Sequence, residues 1–297
     1  MDCPEVNVAL NNERIAVIGC GVMGEAMVKG LLHERLVRPD QIVASHPREE
    51  RCREIGDRYG VLATLDNRAA ANGATIVVVA VKPQFFDEVA TELRGAVSAN
   101  ALVVTIVAGI RTAHVVEVLG VPQVVRVMPN TPGQIGRGIS VWTATAPVRE
   151  EGRRRVRALL TALGVEQPVH HENEIDMATA LSGTGPAYVF LFMEALIDAG
   201  VHLGFSRRLA SKLVYETVRG SVEFAASNTL HPAELRNQVT SPGGTSAEAQ
   251  AQLERGRMRT VLSDAVWAAY RRCVQLGEAA PSGGSRRQAP ASAPSDD

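Results

Sequence analysis

Two glycine-rich turns, far apart in the chain, carry the residues best suited to chemistry. Near the N-terminus, RIAVIGCGVMGEAMVKGLL sets Gly19, Gly21 and Gly24 directly after an apolar strand and at the start of a helix. At this spacing the first glycine permits a tight turn, the second lets the backbone approach a pyrophosphate, and the third packs helix on strand. Cys20, Val22 and Met23 complete the turn, and the N–H groups of the helix start face the phosphates. The alternative is a purely structural glycine turn. The second stretch, QVTSPGGTSAEAQ, puts Ser241, Gly243, Gly244, Thr245 and Ser246 at another helix start, with no apolar strand before it. From the residues alone it is either an anion-binding turn or a helix capped by Ser241 or Ser246.

The dinucleotide reading extends to neighbouring segments. NAD-binding versions place an acidic residue about twenty positions on, to accept from the ribose 2′-hydroxyl. Here VASHPREER offers none at Ala44, Ser45 or His46. Ser45 and Arg48 instead suit a 2′-phosphate, which favours NADP(H) over NAD(H). The competing account of Arg48 is a solvated helix start. Ligands of such sheets sit beyond the carboxyl ends of the strands. That brings in Ala80, Val81, Lys82 and Pro83 of VVVAVKPQ, and Ala108 and Gly109 of TIVAGI, where small residues let a cofactor approach. Asn130, between the prolines of RVMPNTP, faces the same edge or serves only as a turn former.

These residues need a scaffold, and the chain supplies an alternating one. From Arg14 to about Val169, seven β-branched runs (RIAVIG, QIVAS, GVLAT, TIVVVAV, LVVTIVAG, QVVRVMP, GISVWTA) alternate with helical patterns. That alternation predicts βαβ units and a parallel sheet; the sixth and seventh runs, joined by a Pro/Gly-rich connection, are free to pair differently. After Glu172 the pattern turns helical, including one helix over Thr245–Leu276. GPAYVFLFMEALIDAGVHLG is apolar nearly all round and predicts a fully buried helix, with a second subunit as one means of burying it. The expectation is an α/β Rossmann-type domain over 1–171, an all-α substrate-binding and dimerisation domain over 172–279, and a disordered Pro/Ser/Ala/Gly-rich tail over 280–297.

Composition narrows the class. With 45% hydrophobic residues, 21% charged and a formal net charge of -1, nothing points to nucleic acid or a membrane surface. No apolar run reads as long enough to span a bilayer and no signal peptide is visible, which predicts a cytoplasmic protein. Cys3, Cys20, Cys52 and Cys273 are scattered without a C-x-x-C pair, and the His170–His171 pair lacks a third ligand; no metal site is expected.

Together the segments GCGVMG, AVKP, RVMPNTP, LSGTGPAYVF and SPGGTS resemble, in order and over essentially the whole chain apart from the tail, the pyrroline-5-carboxylate reductases of proline biosynthesis. The resemblance implies reduction of 1-pyrroline-5-carboxylate to L-proline by hydride from NADPH or NADH. It also implies a homodimer interlocked through the helical domain, assembled into a larger ring such as a decamer. In that light the SPGG turn holds the substrate carboxylate on the N–H groups around Gly243, Gly244 and Thr245. Ser246 stands where the family usually has threonine, whose hydroxyl contacts the ring nitrogen. Serine keeps the hydroxyl but loses the methyl that restricts χ1, so it is expected to orient the imine more than to donate a full proton. Glu172 matches an acidic residue near substrate, the alternative being a surface carboxylate; Gln238 matches an amide that meets the cofactor, and Asn67 a residue near the adenosine half. Gln250 replaces an aliphatic residue.

Two other functions compete. A β-hydroxyacid dehydrogenase or related imine reductase shares the architecture, but the hydroxyacid enzymes depend on a lysine on the first long C-terminal helix, and this chain has only Lys29, Lys82 and Lys212. A non-catalytic NADP-binding redox sensor would have no need of the SPGG turn.

Overall fold

The structure is a computed structural model that describes residues 10–278; the 280–297 tail and Cys3 lie outside the described residues. Eight strands form one sheet: β1 Ile15–Ile18, β2 Ile42–Ser45, β3 Leu62–Thr64, β4 Ile76–Val79, β5 Leu102–Thr105, β6 Val124–Met128, β7 Gly138–Ala144 and β8 Gly164–Pro168. Their order is β3-β2-β1-β4-β5-β6-β7-β8. The first six run parallel, β7 is antiparallel to β6, and β8 is parallel to β7. The sixth and seventh runs thus do pair differently. Strand β8, GVEQP, is absent from the seven expected runs, because three of its five residues are polar or proline and only one is β-branched.

Helices α1 Val22–His33, α2 Glu49–Tyr59, α3 Asn67–Ala71, α4 Phe86–Leu93, α5 Thr112–Leu119 and α6 Glu150–Thr161 cover the sheet. Side chains alternate across a strand, and β1 shows the consequence. Ile15 and Val17 join a core with Met27, Leu31 and Leu159, whereas Ala16 and Ile18 join a core with Ala70, Phe86 and Val115. Both faces being covered explains why the central strands β1 and β4 are apolar without a break.

The helical half follows as α7 Asn173–Ala178, a π-helical turn Thr179–Gly183, α8 Gly185–His202, α9 Arg207–Ala226, α10 Pro232–Gln238, α11 Thr245–Arg255 and α12 Met258–Glu278. The single helix expected over Thr245–Leu276 is two. It breaks at Gly256 and Arg257, where Arg257 takes a left-handed φ of 56° and the N–H groups of both residues turn back to Gln252 O and Glu254 O.

The fully buried apolar helix is corrected as well. In the single chain only Ile197 of α8 is buried, and Phe190 and Leu191 are 56% and 67% exposed. Helix α9 packs on one side of it, with Gly200 set against Ala210, and an all-round apolar helix needs more than one neighbour. The exposed surface continues through Val222, Phe224, Leu262 and Trp267. Against the expectation of no spanning run, Asn173–His202 is long and apolar enough, by length and composition, to cross a membrane. The π-turn interrupts that segment, and Asp176 within it is buried in an ion pair.

Candidate active site

Strand order reverses between the adjacent strands β1 and β4, so the crevice of the sheet opens where both end. Gly19 leaves β1 at a φ of +79°, and a Cβ there would sit 2.5 Å from Val81 Cγ1. The turn is tied to the neighbouring strand: Gly19 N and Cys20 N donate to Ser45 O at 3.1 and 2.8 Å. Gly24 lies against Gly19 O, Val17 and Ala80, where a Cβ would have contacts of 3.2 to 3.5 Å. Gly21 differs: a Cβ there would meet only Gly19 O, at 3.9 Å. Gly21 also N-caps α1 without any side-chain cap. The N–H groups of Val22 and Met23 therefore face open space at the positive end of a helix, which is the shape and charge a pyrophosphate needs. Beside them the Cys20 thiol is pushed up to about 12, chiefly by burial and further by Glu25 and Cys52, against the opposing charge of Arg51. It is inert as a nucleophile.

The far end of the crevice is cationic. Arg48 is exposed, its backbone N–H donates to His46 Nδ1 at 3.2 Å, and its guanidinium has no partner among the described residues. Burial and the charges of Arg48 and Arg51 lower the His46 pKa. Arg51 is fixed by Glu25, which also accepts from Arg58 at 2.7 Å and Tyr59 at 2.8 Å. Ser45 needs correction. It is 1% exposed, and its hydroxyl donates to Asn67 Oδ1 at 2.7 Å, so it reaches this corner only through Asn67. Asn67 in turn donates to Glu92 Oε2 at 2.8 Å.

Two other residues expected at the cofactor turn out to serve the scaffold. Gly109, with φ +78°, is buried under α12: a Cβ would lie 3.0 Å from Leu276 Cβ, and its carbonyl faces Gly277. Its small size admits a helix rather than a cofactor; Ala108 next to it stays half-buried. Asn130 spends its amide on structure, donating to Ser182 O at 3.2 Å and accepting from Ile139 N at 3.0 Å. Val81 lies against Gly19 and Ala80 against Gly24; Lys82 is exposed at the turn before Pro83.

Arg126, inside the RVMPNTP segment, was missed. It is 1% exposed on β6 and reaches Asp176 Oδ1 at 2.5 Å and Glu172 Oε1 at 3.2 Å. Glu172 also accepts from Thr112 N at 2.7 Å and Thr112 Oγ1 at 3.0 Å. Its carboxylate is thus engaged at the joint of sheet and helices, not free at the surface. A lone arginine in the apolar run QVVRVMP was the available signal, since a buried charge must be paired.

The SPGG turn lies in the helical half. Gly243 has φ +68°, the left-handed region that favours glycine. Helix α11 starts at Gly244, and neither Ser241 nor Ser246 caps it. The simple capped helix therefore fails, and the N–H groups of Thr245 and Ser246 lie free in the first turn. Ser246 is half-buried, and Gln238 is exposed at the end of α10. Among the described residues no hydrogen bond joins this turn or Gln238 to the Gly19–Gly24 crevice.

Comparison with known proteins gives the two halves separate matches. Residues 172–276 match the family model for pyrroline-5-carboxylate reductase dimerisation, and residues 14–109 match that for NADP oxidoreductase coenzyme F420-dependent. The chain is similar to the pyrroline-5-carboxylate reductase of Corynebacterium melassecola, 42% identical over 269 residues that span 89% of this chain and 98% of that one. It is 38% identical to the Synechocystis enzyme of the same name, over 89% of this chain and 98% of the relative. Among solved structures, Plasmodium falciparum pyrroline carboxylate reductase with NADP bound has a TM-score of 0.83 at 30% identity, covering 90% of this chain and 98% of that one. The Coxiella burnetii pyrroline-5-carboxylate reductase gives 0.81 at 34% identity, covering 90% and 99%. The glycine crevice, the helical half and these relatives agree: the chain belongs to the pyrroline-5-carboxylate reductase family.

Proposed function

We propose that the protein reduces 1-pyrroline-5-carboxylate to L-proline at the expense of NADPH, as a cytoplasmic homo-oligomer. The observation that carries this is the pair of anion cradles: an uncapped helix start at Gly21–Met23 on the sheet and another at Gly244–Ser246 on the helices. The first has the open backbone and the cationic flank of Arg48 that suit a dinucleotide with a 2′-phosphate. When bound, the reduced nicotinamide would supply the hydride to the imine carbon.

The residues of the chain bind and orient. Val22 and Met23 N–H groups hold the pyrophosphate, with Ala80 and Val81 shaping the floor of the crevice. Arg48 pairs with the 2′-phosphate, and Asn67, braced by Ser45, meets the adenosine half. Around Gly243, Gly244 and Thr245 the backbone holds the substrate carboxylate. Ser246 hydrogen-bonds the ring nitrogen and turns the imine carbon toward the hydride donor. An alcohol is too weak an acid to protonate the imine near neutral pH, so the substrate arrives already protonated or takes its proton from solvent.

The unpartnered apolar surface of α8, α9 and α12 supports a homodimer built through residues 172–279, with 1–171 as the cofactor domain; a decameric ring is the assembly we propose for the dimers. Such a dimer covers Phe190, Leu191 and Trp267, which are exposed in a single chain. Initial rates with purified protein, 1-pyrroline-5-carboxylate and either NADPH or NADH test the proposal. Proline formation coupled to cofactor oxidation, with the higher kcat/KM for NADPH, is expected. Cofactor binding without imine reduction would instead assign a sensor or another substrate.

A further inference from the structure

Gln250, half-buried in the second turn of α11, donates through Nε2 to Thr240 Oγ1 at 2.6 Å. The Thr240 hydroxyl has one proton, and it donates that proton to Arg236 O at 2.7 Å, in the last turn of α10. Donor and acceptor directions are therefore fixed along a chain from α11 through Thr240 to α10. Between Thr240 and Gln250 runs the whole SPGG turn.

The turn has little else to hold it. Ser241, Pro242 and Gly243 are exposed, and a Cβ on Gly243 would meet nothing within 4 Å. Its internal restraint is one turn hydrogen bond, Gly244 N to Ser241 O at 3.0 Å. Glycines leave such a loop with more backbone freedom than other residues would. The direction of the Thr245 and Ser246 N–H groups thus depends on how firmly α11 is tied back to α10.

We propose that Gln250 is a positioning residue, which acts through Thr240 to preorganise the cradle for the substrate carboxylate. This rests on the reading of the SPGG turn as the substrate site. A preformed cradle binds its anion without first ordering the loop, so losing the clamp raises the KM for the imine and leaves the cofactor crevice untouched.

The test uses the full chain with Gln250→Leu, Thr240→Val, the double variant and Thr240→Ser. Each of the first two is expected to raise the KM for 1-pyrroline-5-carboxylate about five-fold, the worth of one hydrogen bond. Turnover number and NADPH affinity should stay within about two-fold, the same scale serving as the bound. The double variant should be no worse than the worse single, because both break one link, and Thr240→Ser should behave as the unmodified protein. Unchanged KM in Gln250→Leu, or multiplying losses in the double variant, would overturn the clamp. Amide hydrogen exchange over residues 241–247 is read in parallel and needs no turnover: faster exchange in both single variants is expected, and unchanged exchange also overturns the clamp. If the unmodified protein reduces no imine while the exchange result holds, it is the substrate assignment that fails.

Discussion

Arg126 Nη2 meets Asp176 Oδ1 at 2.5 Å with both side chains buried, and that contact joins the sheet to the helical half. Arg126 belongs to the strand that leads to the RVMPNTP loop; Asp176 belongs to the first helix beyond the sheet. Glu172 extends the joint to Thr112 at the head of α5, and the Cys273 thiol of α12 lies 3.5 Å from Asp176. These polar groups join the packing of Gly109 on Leu276 in holding the helices against the sheet. Arg126→Met strands the Asp176 charge and should lower stability by about 3–5 kcal/mol, measured by urea unfolding, with Asp176→Asn losing less.

The first glycine turn has no room for a side chain at Gly19. Gly19→Ala should raise the Kd for NADPH more than ten-fold and cost roughly 1–3 kcal/mol of stability, because φ is positive and the new methyl strikes Val81. Titration of cofactor fluorescence and thermal unfolding read the two effects.

Arg48 is expected to set cofactor choice. Arg48→Glu should lower the ratio of kcat/KM for NADPH over NADH by about ten-fold or more, by removing a charge-assisted bond and adding repulsion. A ratio unmoved by the change would return Arg48 to the role of a solvated helix start. Ser45→Ala should act more weakly and through Asn67, since its hydroxyl is buried against that amide.

Cys20 gives a pH dependence with a defined sign. Its folded pKa of about 12 lies above the ordinary thiol value of 9.0, so the folded form retains a proton that the unfolded chain releases. Its contribution is fully present below about pH 9 and is lost as pH rises toward about 12. Urea midpoints should fall over that window more steeply in the unmodified protein than in Cys20→Ala. At pH 8 the native protein should leave Cys20 unalkylated.

Ser246→Ala should lower kcat/KM for the imine about ten-fold, and Ser246→Thr should retain activity by keeping the hydroxyl. Full activity in Ser246→Ala would remove this residue from the mechanism.

Much of this was legible in the sequence because period and glycine spacing are local signals. IVVV reads as a doubly covered strand and is one, and the GCGVMG turn lies where strand and helix patterns meet. What could not be read depended on partners distant in sequence. Ser45 has the right type and position for a phosphate, yet the fold turns it onto Asn67, twenty-two positions away. Gly109 looks like a cofactor contact until α12 returns from the far end of the chain to lie on it. Strand β8 is half polar and exists because it pairs with β7. The apolar character of α8 was legible, but its burial was not, because the described residues cover it on one side only.

The most direct measurement of the central claim follows the hydride itself. NADPH carrying deuterium on the transferred face of the nicotinamide is incubated with the protein and 1-pyrroline-5-carboxylate, and the proline is analysed by mass spectrometry and NMR. The account predicts one deuterium per proline, on the former imine carbon and not on the carboxylate-bearing carbon, with one NADP formed for each. Cofactor oxidation without labelled proline, or no reaction of a cofactor that binds, would contradict it.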